Sequence, residues 1–445
     1  KTEGYTHLIH DALEAGRDAL FLVPEIALTT QLIVRLRRFF GDRLEVYHSR
    51  FSPRERTSTY RRVSDTESRG RLMVGARSAI FLPFSNLGLI VVDEEHDASY
   101  KQQDPAPRYQ ARDAASMLGR LHGAAVVLGS ATPSLEARYA VSAGRAAHIE
   151  LAERFGGTSL PEVGLIDLRK AHKQRAMEGH FSRSLLEALK STLDAGKQAI
   201  LFQNRRGFAP VYQCRTCGWV PDCERCDVSL TYHKYLKDLH CHYCGYRQGE
   251  PQTCPRCGSE EVEAKGLGTE RIEEEVAQLL PGVKVQRMDL DTTRSRTGHE
   301  RIIRAFEQGE IQVLVGTQMV TKGLDFERVG LVGILQADHM LHFPDFRALE
   351  RTFQLLTQVA GRAGRRGERG QVLIQTFDPE HWVFQHVVTH DAQGMAHAEL
   401  KERESFGYPP AVRLVRLILR HRDPHLNREA ALALAGRLRR RFGGR

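Results

Sequence analysis

Outside positions 214 to 257 this 445-residue chain has no cysteine, so no disulfide framework can run through the rest of it. No apolar run approaches the ~18 residues that a membrane-spanning helix needs. No secretory signal opens the chain. Internal repeats and low-complexity stretches are missing too. An acidic excess is also lacking: 64 Lys+Arg stand against 55 Asp+Glu, a net charge of +9. That balance favours an anionic partner, nucleic acid most simply. Two Zn²⁺ on eight thiolates would change the charge by 4 − 8 = −4 and leave about +5. What is there is 41% apolar and 27% charged, the composition of a globular chain. Its length suits roughly two to four domains.

The chain is organised around Leu87-Gly88-Leu89-Ile90-Val91-Val92-Asp93-Glu94-Glu95-His96-Asp97. The unbroken apolar run reads as a parallel strand buried on both faces. Its charges fall at the carboxyl end, where open α/β sheets bind ligands. Asp93 is suited to hold Mg²⁺, directly or through a water, and Glu94 to deprotonate a water attacking a phosphate. Read without its surroundings, the same stretch is a solvated acidic turn after a core strand.

Further strands are expected at 19–23, 44–48, 71–76 and 125–129, with helices up to Glu14 and to Phe40 between them. A boundary is expected near 155–158. A second alternating unit then follows, with strands at 163–168, 198–202, 283–288, 311–316, 329–335 and 371–376. Its helices are expected at 182–193, 269–280, 299–306 and 347–360. Strands alternating with helices mean parallel sheets covered on both faces. From about His397 the character changes, and 412–419 alternates like a strand. This divides the chain into 1–155, 156–212, 213–262, 263–390 and 391–445.

Lys1-Thr2 at a helix start is what a phosphate loop, G-x-x-x-x-G-K-[ST], leaves when cut before its lysine. So read, Lys1 reaches the β/γ-phosphates of ATP and Thr2 holds Mg²⁺. Tyr100 and Tyr109 interleave with Lys101, Arg108 and Arg112, so rings could stack bases while cations sit on phosphates. A polar surface loop with half-buried tyrosines accounts for the same composition. The helix at 347–360 runs into Gly361-Arg362-Ala363-Gly364-Arg365. Arg362 and Arg365 could reach a nucleotide from a second lobe as fingers. Gln358 precedes Arg362 by one helical turn on the same face.

All eight cysteines fall in four Cys-x-x-Cys pairs, three followed by Gly218, Gly245 or Gly258, the pattern of metal knuckles. Four pairs make two closed Cys₄ sites, so two structural Zn²⁺ are expected. Which pairs combine is a separate question. The middle two, fourteen residues apart, come nearest a zinc-ribbon spacing, which would leave the outer two to each other.

These motifs stand in a telling order: Lys1-Thr2-Glu3, Leu22-Val23-Pro24-Glu25-Ile26, Asp93-Glu94-Glu95-His96, Gly129-Ser130-Ala131-Thr132-Pro133, Asn204-Arg205-Arg206-Gly207, Gly316 to Gly323 and Gln358 to Arg365. The series resembles superfamily 2 helicases. The knuckles, with Ser99-Tyr100-Lys101-Gln102 and Arg347 to Gln354, narrow the resemblance to the PriA family of bacterial replication-restart helicases.

The resemblance implies an α/β fold. It would consist of two tandem RecA-like parallel-sheet lobes, an inserted double zinc-knuckle module and a partial small C-terminal α+β domain. It implies a 3′→5′ DNA helicase driven by ATP and Mg²⁺, acting on forked and single-stranded DNA in the bacterial cytoplasm, at the nucleoid. The implied partners are primosome proteins, single-strand binding protein and the machinery that loads the replicative helicase, with no membrane. The implied zinc ligands are Cys214, Cys217, Cys254 and Cys257 for one ion, and Cys223, Cys226, Cys241 and Cys244 for the other. Thr317, Gln318, Arg205 and Arg206 would lie near DNA. Lys322 and Gly323 would lie near the nucleotide. The loop from Tyr100 to Arg112 would couple single strands to hydrolysis.

Beginning at Lys1, the sequence shows neither the glycines of the phosphate loop nor the family's amino-terminal domains, as expected either of a piece of a longer chain or of an impaired protein. A chain so begun is expected to bind ATP poorly, for want of backbone N–H donors. A zinc-stabilised DNA-binding scaffold without turnover is therefore the alternative to the motor, and a duplex translocase without strand separation is a third reading.

Overall fold

The chain's structure is a computed structural model, which describes every residue except 25–29, 49–50, 66–69, 152–159, 204–210, 215, 226–227, 234–237, 242–243, 266–267, 290–297, 322–325, 365–368 and 444–445. The first lobe runs α1 (Thr2–Glu14), β1 (Asp18–Leu22), α2 (Thr30–Phe40), β2 (Leu44–Tyr47), α3 (Pro53–Ser64), β3 (Leu72–Gly75), β4 (Leu87–Asp93), α4 (Ala111–His122), β5 (Ala125–Gly129) and α5 (Leu135–Ser142). Its five strands are parallel, in the order β2-β3-β1-β4-β5.

β4 is buried on both faces, as its apolar run requires. Ile90 and Val92 join one core with Leu20, Leu22 and Ala115, while Leu89 and Val91 join the other with Ile9, Phe21 and Leu36. Each of the larger side chains contributes about 1.5–3 kcal/mol on burial. Local signals set the helices. Ser52 and Glu55 form a reciprocal capping box ahead of Pro53 at the start of α3. α1 buries Tyr5, Ile9 and Leu13, four residues apart, against the sheet.

The second lobe opens with β6 (Glu162–Asp167), α6 (Leu168–Lys173), the short strands β7 (Met177–Glu178) and β8 (Phe181–Ser182), α7 (Arg183–Asp194) and β9 (Gln198–Gln203). An insertion follows with β10 (Val211–Cys214), β11 (Thr231–His233), β12 (Asp238–His240), β13 (Arg247–Gly249) and β14 (Val262–Lys265). β10 and β14 pair antiparallel and carry the chain out of the lobe and back. The lobe resumes with α8 (Thr269–Leu279), β15 (Val285–Met288), α9 (Gly298–Gln308), β16 (Val313–Gly316), β17 (Val329–Leu335), α10 (Asp338–Leu341), α11 (Ala348–Ala360), β18 (Gln371–Thr376), α12 (Trp382–Val388) and the first half of α13 (Ala392–Ser405). Its six strands are parallel, in the order β15-β16-β9-β17-β18-β6. The carboxylate of Asp338, fully buried, accepts from the Thr376 hydroxyl and the Phe377 N–H, which clips the ends of β17 and β18 together.

Residues 400–445 form a separate compact unit. It holds α14 (Pro424–Phe442), which buries no residue within the chain described. The strand expected at 412–419 is absent. Alternation alone cannot make a strand without a ladder partner, and Val415 is 81% exposed. Among the described residues no helix is long and apolar enough to cross a membrane.

Gly129 pairs with Asp93 at the carboxyl edge of the first sheet. A Cβ there would collide with the Tyr5 side chain, hydroxyl and ring alike. Gly129→Ala should therefore lower stability by about 1–3 kcal/mol, the cost of overpacking a filled site, read as a fall in the urea midpoint. An unchanged midpoint would show that α1 yields without cost.

Candidate functional site

The acids emerge where β4 can no longer bury side chains. Glu94 turns the chain with φ +49°, a left-handed conformation uncommon outside glycine. The turn sends successive side chains in different directions. Lys1 Nζ lies 2.8 Å from Glu94 Oε1 and 3.5 Å from Asp93 Oδ1. The Tyr5 hydroxyl donates to Asp93 Oδ1 at 3.0 Å. Burial works against the Lys1 charge, but the carboxylates of Asp93 and Glu94 outweigh it and raise its pKa. Burial lifts the pKa of Asp93, with Lys1 pulling the other way. Burial and the Asp93 charge push the Tyr5 phenol up, so it stays a donor. The structure thus brings Lys1, Asp93 and Glu94 into one cluster.

Glu95 points inward and is fully buried. It accepts the Ser134 N–H at 2.6 Å, the Ser134 hydroxyl at 2.9 Å and Arg112 Nη1 at 3.0 Å. His96 bridges the lobes: Nδ1 meets Ser130 Oγ at 2.7 Å, and the Gln358 amide nitrogen lies 2.6 Å from Nε2. Gln358 lies in the last turn of α11, whose chain turns on through Gly361 to Arg362. Arg365 lies outside the described residues, as do Lys322, Gly323, Arg205 and Arg206. Thr2 opens α1. Thr317 and Gln318 follow the carboxyl end of β16, where Gln318 begins a 3₁₀ turn.

Two expectations for the tyrosine–arginine stretch need correction. Tyr100 offers no face to a base. It is fully buried, and its hydroxyl donates toward the carbonyl oxygens of Asp93 at 2.7 Å and Leu22 at 3.0 Å. Arg112 is not free for a phosphate. It sits in the first turn of α4, buried, and is committed to Glu95 and to the Ser134 hydroxyl at 2.7 Å. Burial would lower its pKa, but Glu95 raises it. The rest of the stretch stays near the surface. Tyr109 packs edge-on against the exposed Phe81, with ring centroids 4.6 Å apart. Arg108 is exposed, and Lys101 Nζ donates to its carbonyl at 2.7 Å.

In the insertion, the sulfurs of Cys214, Cys217, Cys254 and Cys257 all lie within 4.8 Å of one another, as do those of Cys223, Cys241 and Cys244. Cys226 lies outside the described residues. The separations of 3.7 Å (Cys214–Cys257), 3.6 Å (Cys217–Cys254) and 3.5 Å (Cys223–Cys244) are too long for disulfides. They match the roughly 3.8 Å edge of a tetrahedron with Zn–S bonds of ~2.3 Å. Gly218, Gly245 and Gly258 take φ of +77°, +76° and +75°, and each donates its N–H to the carbonyl of the first cysteine of its pair. The outer pairs meet and the inner pairs meet, so the arrangement is nested. The module docks on α10 and the turn after it: His339 Nε2 lies 3.1 Å from Gln213 Oε1, and Ser229 Oγ lies 3.2 Å from His342 Nδ1.

Sequence reasoning gave no role to Tyr5, Glu95, His96 or Glu350. Tyr5 was within reach, being four residues from Lys1 on one helix face. Glu350 was not. It touches the first lobe across 215 positions of chain, where its carboxylate accepts the Leu135 N–H at 2.9 Å.

The chain is similar to known proteins along most of its length. Residues 1–140 match the DEAD/DEAH box helicase family, 265–367 the helicase conserved C-terminal domain, and 223–248 the PriA DNA helicase Cys-rich region (CRR) domain. Replication restart protein PriA of Bacillus subtilis (strain 168) is 45% identical over 423 residues, 95% of this chain and 52% of that protein. The Synechocystis PriA is 44% identical over 426 residues, 94% of this chain and 51% of that protein. Among solved structures, RecG bound to a three-way DNA junction aligns with TM-score 0.49 and 14% identity, over 97% of this chain and 45% of that one. The chain spans about half the length of the curated relatives it matches. With sequence agreement along nearly all of its own length, the chain belongs to the PriA family.

Proposed function

We propose that this chain is the motor of a replication-restart helicase: ATP hydrolysis, stimulated by DNA, drives 3′→5′ translocation on forked DNA. One observation carries the reading. Gln358 of the second lobe meets, through His96, the turn that bears Asp93 and Glu94 of the first. Glu94 accepts the proton of the attacking water, and Asp93, oriented by Tyr5, would hold Mg²⁺, which would neutralise phosphate charge. Lys1 would take the β/γ-phosphates and Thr2 would help hold Mg²⁺, with Lys322 and Gly323 of the second lobe near the nucleotide. Arg362 and Arg365 stabilise the charge that develops on the transferring group. The Lys1 cation already lies on the acids, so it stands where a triphosphate would need it.

Lys101, Arg108 and Tyr109 supply a surface for single-stranded DNA, with Arg205, Arg206, Thr317 and Gln318 on the second lobe. Tyr100 links the surface loop to the acidic turn through the Asp93 carbonyl. The Cys₄ sites would each hold one Zn²⁺, and the two ions would tie the module together. The cytoplasm of bacteria, at the nucleoid, is the setting. The partners are primosome proteins, single-strand binding protein and the replicative helicase loading machinery.

ATP turnover measured with and without single-stranded DNA separates this motor from a DNA-binding scaffold, which would show neither turnover nor stimulation. Glu94→Gln should cut turnover by about 10²–10⁴-fold, the contribution of a general base, while nucleotide binding persists. Turnover unchanged by Glu94→Gln would remove Glu94 from that role.

Metal analysis should return two zinc ions per chain. Cys214→Ser should reduce this to one, because it breaks only the outer site, and should lower the melting temperature of the module. Loss of both ions from that variant would mean that the two sites do not form independently.

A further inference from the structure

The face of α11 toward the first lobe carries Glu350, Gln354 and Gln358, spaced four residues apart. Gln358 lies on His96, and the Gln354 side-chain N–H donates to the Thr132 carbonyl at 3.4 Å. Glu350 goes further. Its Oε1 accepts the backbone N–H of Leu135, the first residue of α5, at 2.9 Å, and also the Gln354 amide at 3.3 Å. The carboxylate of a residue only 7% exposed is thus committed to the other lobe's backbone. Leu135 is one residue from Ser134, the N-cap of α5, and Ser134 is the residue that Glu95 holds from the acidic turn.

The first turn of α5 is therefore gripped from two sides. Glu95 holds it from the strand that bears Asp93 and Glu94, and Glu350 holds it from the second lobe. The carboxylate also matches the positive end of the helix dipole. We propose that Glu350 is a positioning residue: its bond to the Leu135 N–H fixes the acidic turn in register with the second lobe, so that lobe docking sets the geometry of Glu94. This rests on the motor reading for its consequence in turnover, but not for the bond itself. Glu350 and Leu135 line a small cleft with Thr132, Pro133, Arg138 and Gln354. Loss of the acceptor would open the Leu135 N–H to water there.

Two variants test the proposal. Glu350→Met keeps length and burial without an acceptor, and Glu350→Gln keeps a carbonyl oxygen in the same place. Hydrogen exchange is read on peptides covering 93–97 and 130–137, and DNA-stimulated ATP turnover on the same proteins. Glu350→Met should speed exchange at both peptides by about tenfold, the equivalent of one hydrogen bond to a charged group, and leave the β17–β18 core as protected as before. It should lower DNA-stimulated kcat by about tenfold with the KM for ATP within about twofold. Glu350→Gln should restore both readings to within about twofold of the unchanged protein. The proposal is overturned if Glu350→Met leaves the Leu135 amide protected, if it raises exchange throughout the second lobe, or if Glu350→Gln behaves as Met does. An unmodified protein without ATP turnover would defeat the motor reading alone, and the exchange pattern would still decide the contact.

Discussion

A strand buried on both faces cannot carry a charge along its length, so every charge it presents must come at its end. That constraint places Asp93, Glu94, Glu95 and His96 within one turn of backbone. The positive φ at Glu94 separates their directions. Asp93 goes to Tyr5 and Lys1, Glu94 to Lys1, Glu95 into the lobe, and His96 toward the partner lobe. Two side chains face the open end of the sheet and two face protein. Four adjacent polar residues therefore divide into a chemical pair and a structural pair.

Magnitudes sharpen the division. Lys1 and Glu94 are each about one-third exposed, at 31% and 29% of their side chains. An ion pair that wet is worth about 0–1 kcal/mol, so a phosphate can take the lysine at little cost. Glu95 and Arg112 are 0% and 10% exposed. Stripping one partner from such a pair costs about 3–5 kcal/mol. The first pair can exchange partners during a reaction cycle, whereas the second is a fixed strut. The second acid of the turn is free to do chemistry because the third is not.

Much of this was legible in the residues. Apolar period and run length mark the strands, because burial on two faces leaves a continuous pattern. The glycines after three of the four Cys-x-x-Cys pairs mark the knuckles, because the turn demands positive φ. The tyrosine–arginine stretch misled for a physical reason. An aromatic ring beside a cation has the same composition whether it faces water or a core, and only the fold decides. Tyr100 and Arg112 went inward because the carbonyl of Asp93 and the carboxylate of Glu95 needed partners. The stretch 412–419 misled differently, since pairing is a property of two segments and alternation describes only one.

The cross-lobe contacts were invisible for a third reason: the sequence separation is so large that no local pattern encodes them. Yet their spacing on α11 follows from the helix alone. Once one residue of a stripe spaced every four residues touches the opposite lobe, the next two lie roughly one and two turns along, about 6 Å apart. Glu350, Gln354 and Gln358 then meet Leu135, Thr132 and His96 in reverse chain order. A helix laid antiparallel to the Ser130-to-Leu135 turn meets it at Leu135 and Thr132 and reaches Ser130 through His96. Because a helix is stiff along its axis, a shift of any one contact must move the others with it. The α11 stripe couples the two lobes by rigidity, with no need for a contact between Glu350 and the acids themselves.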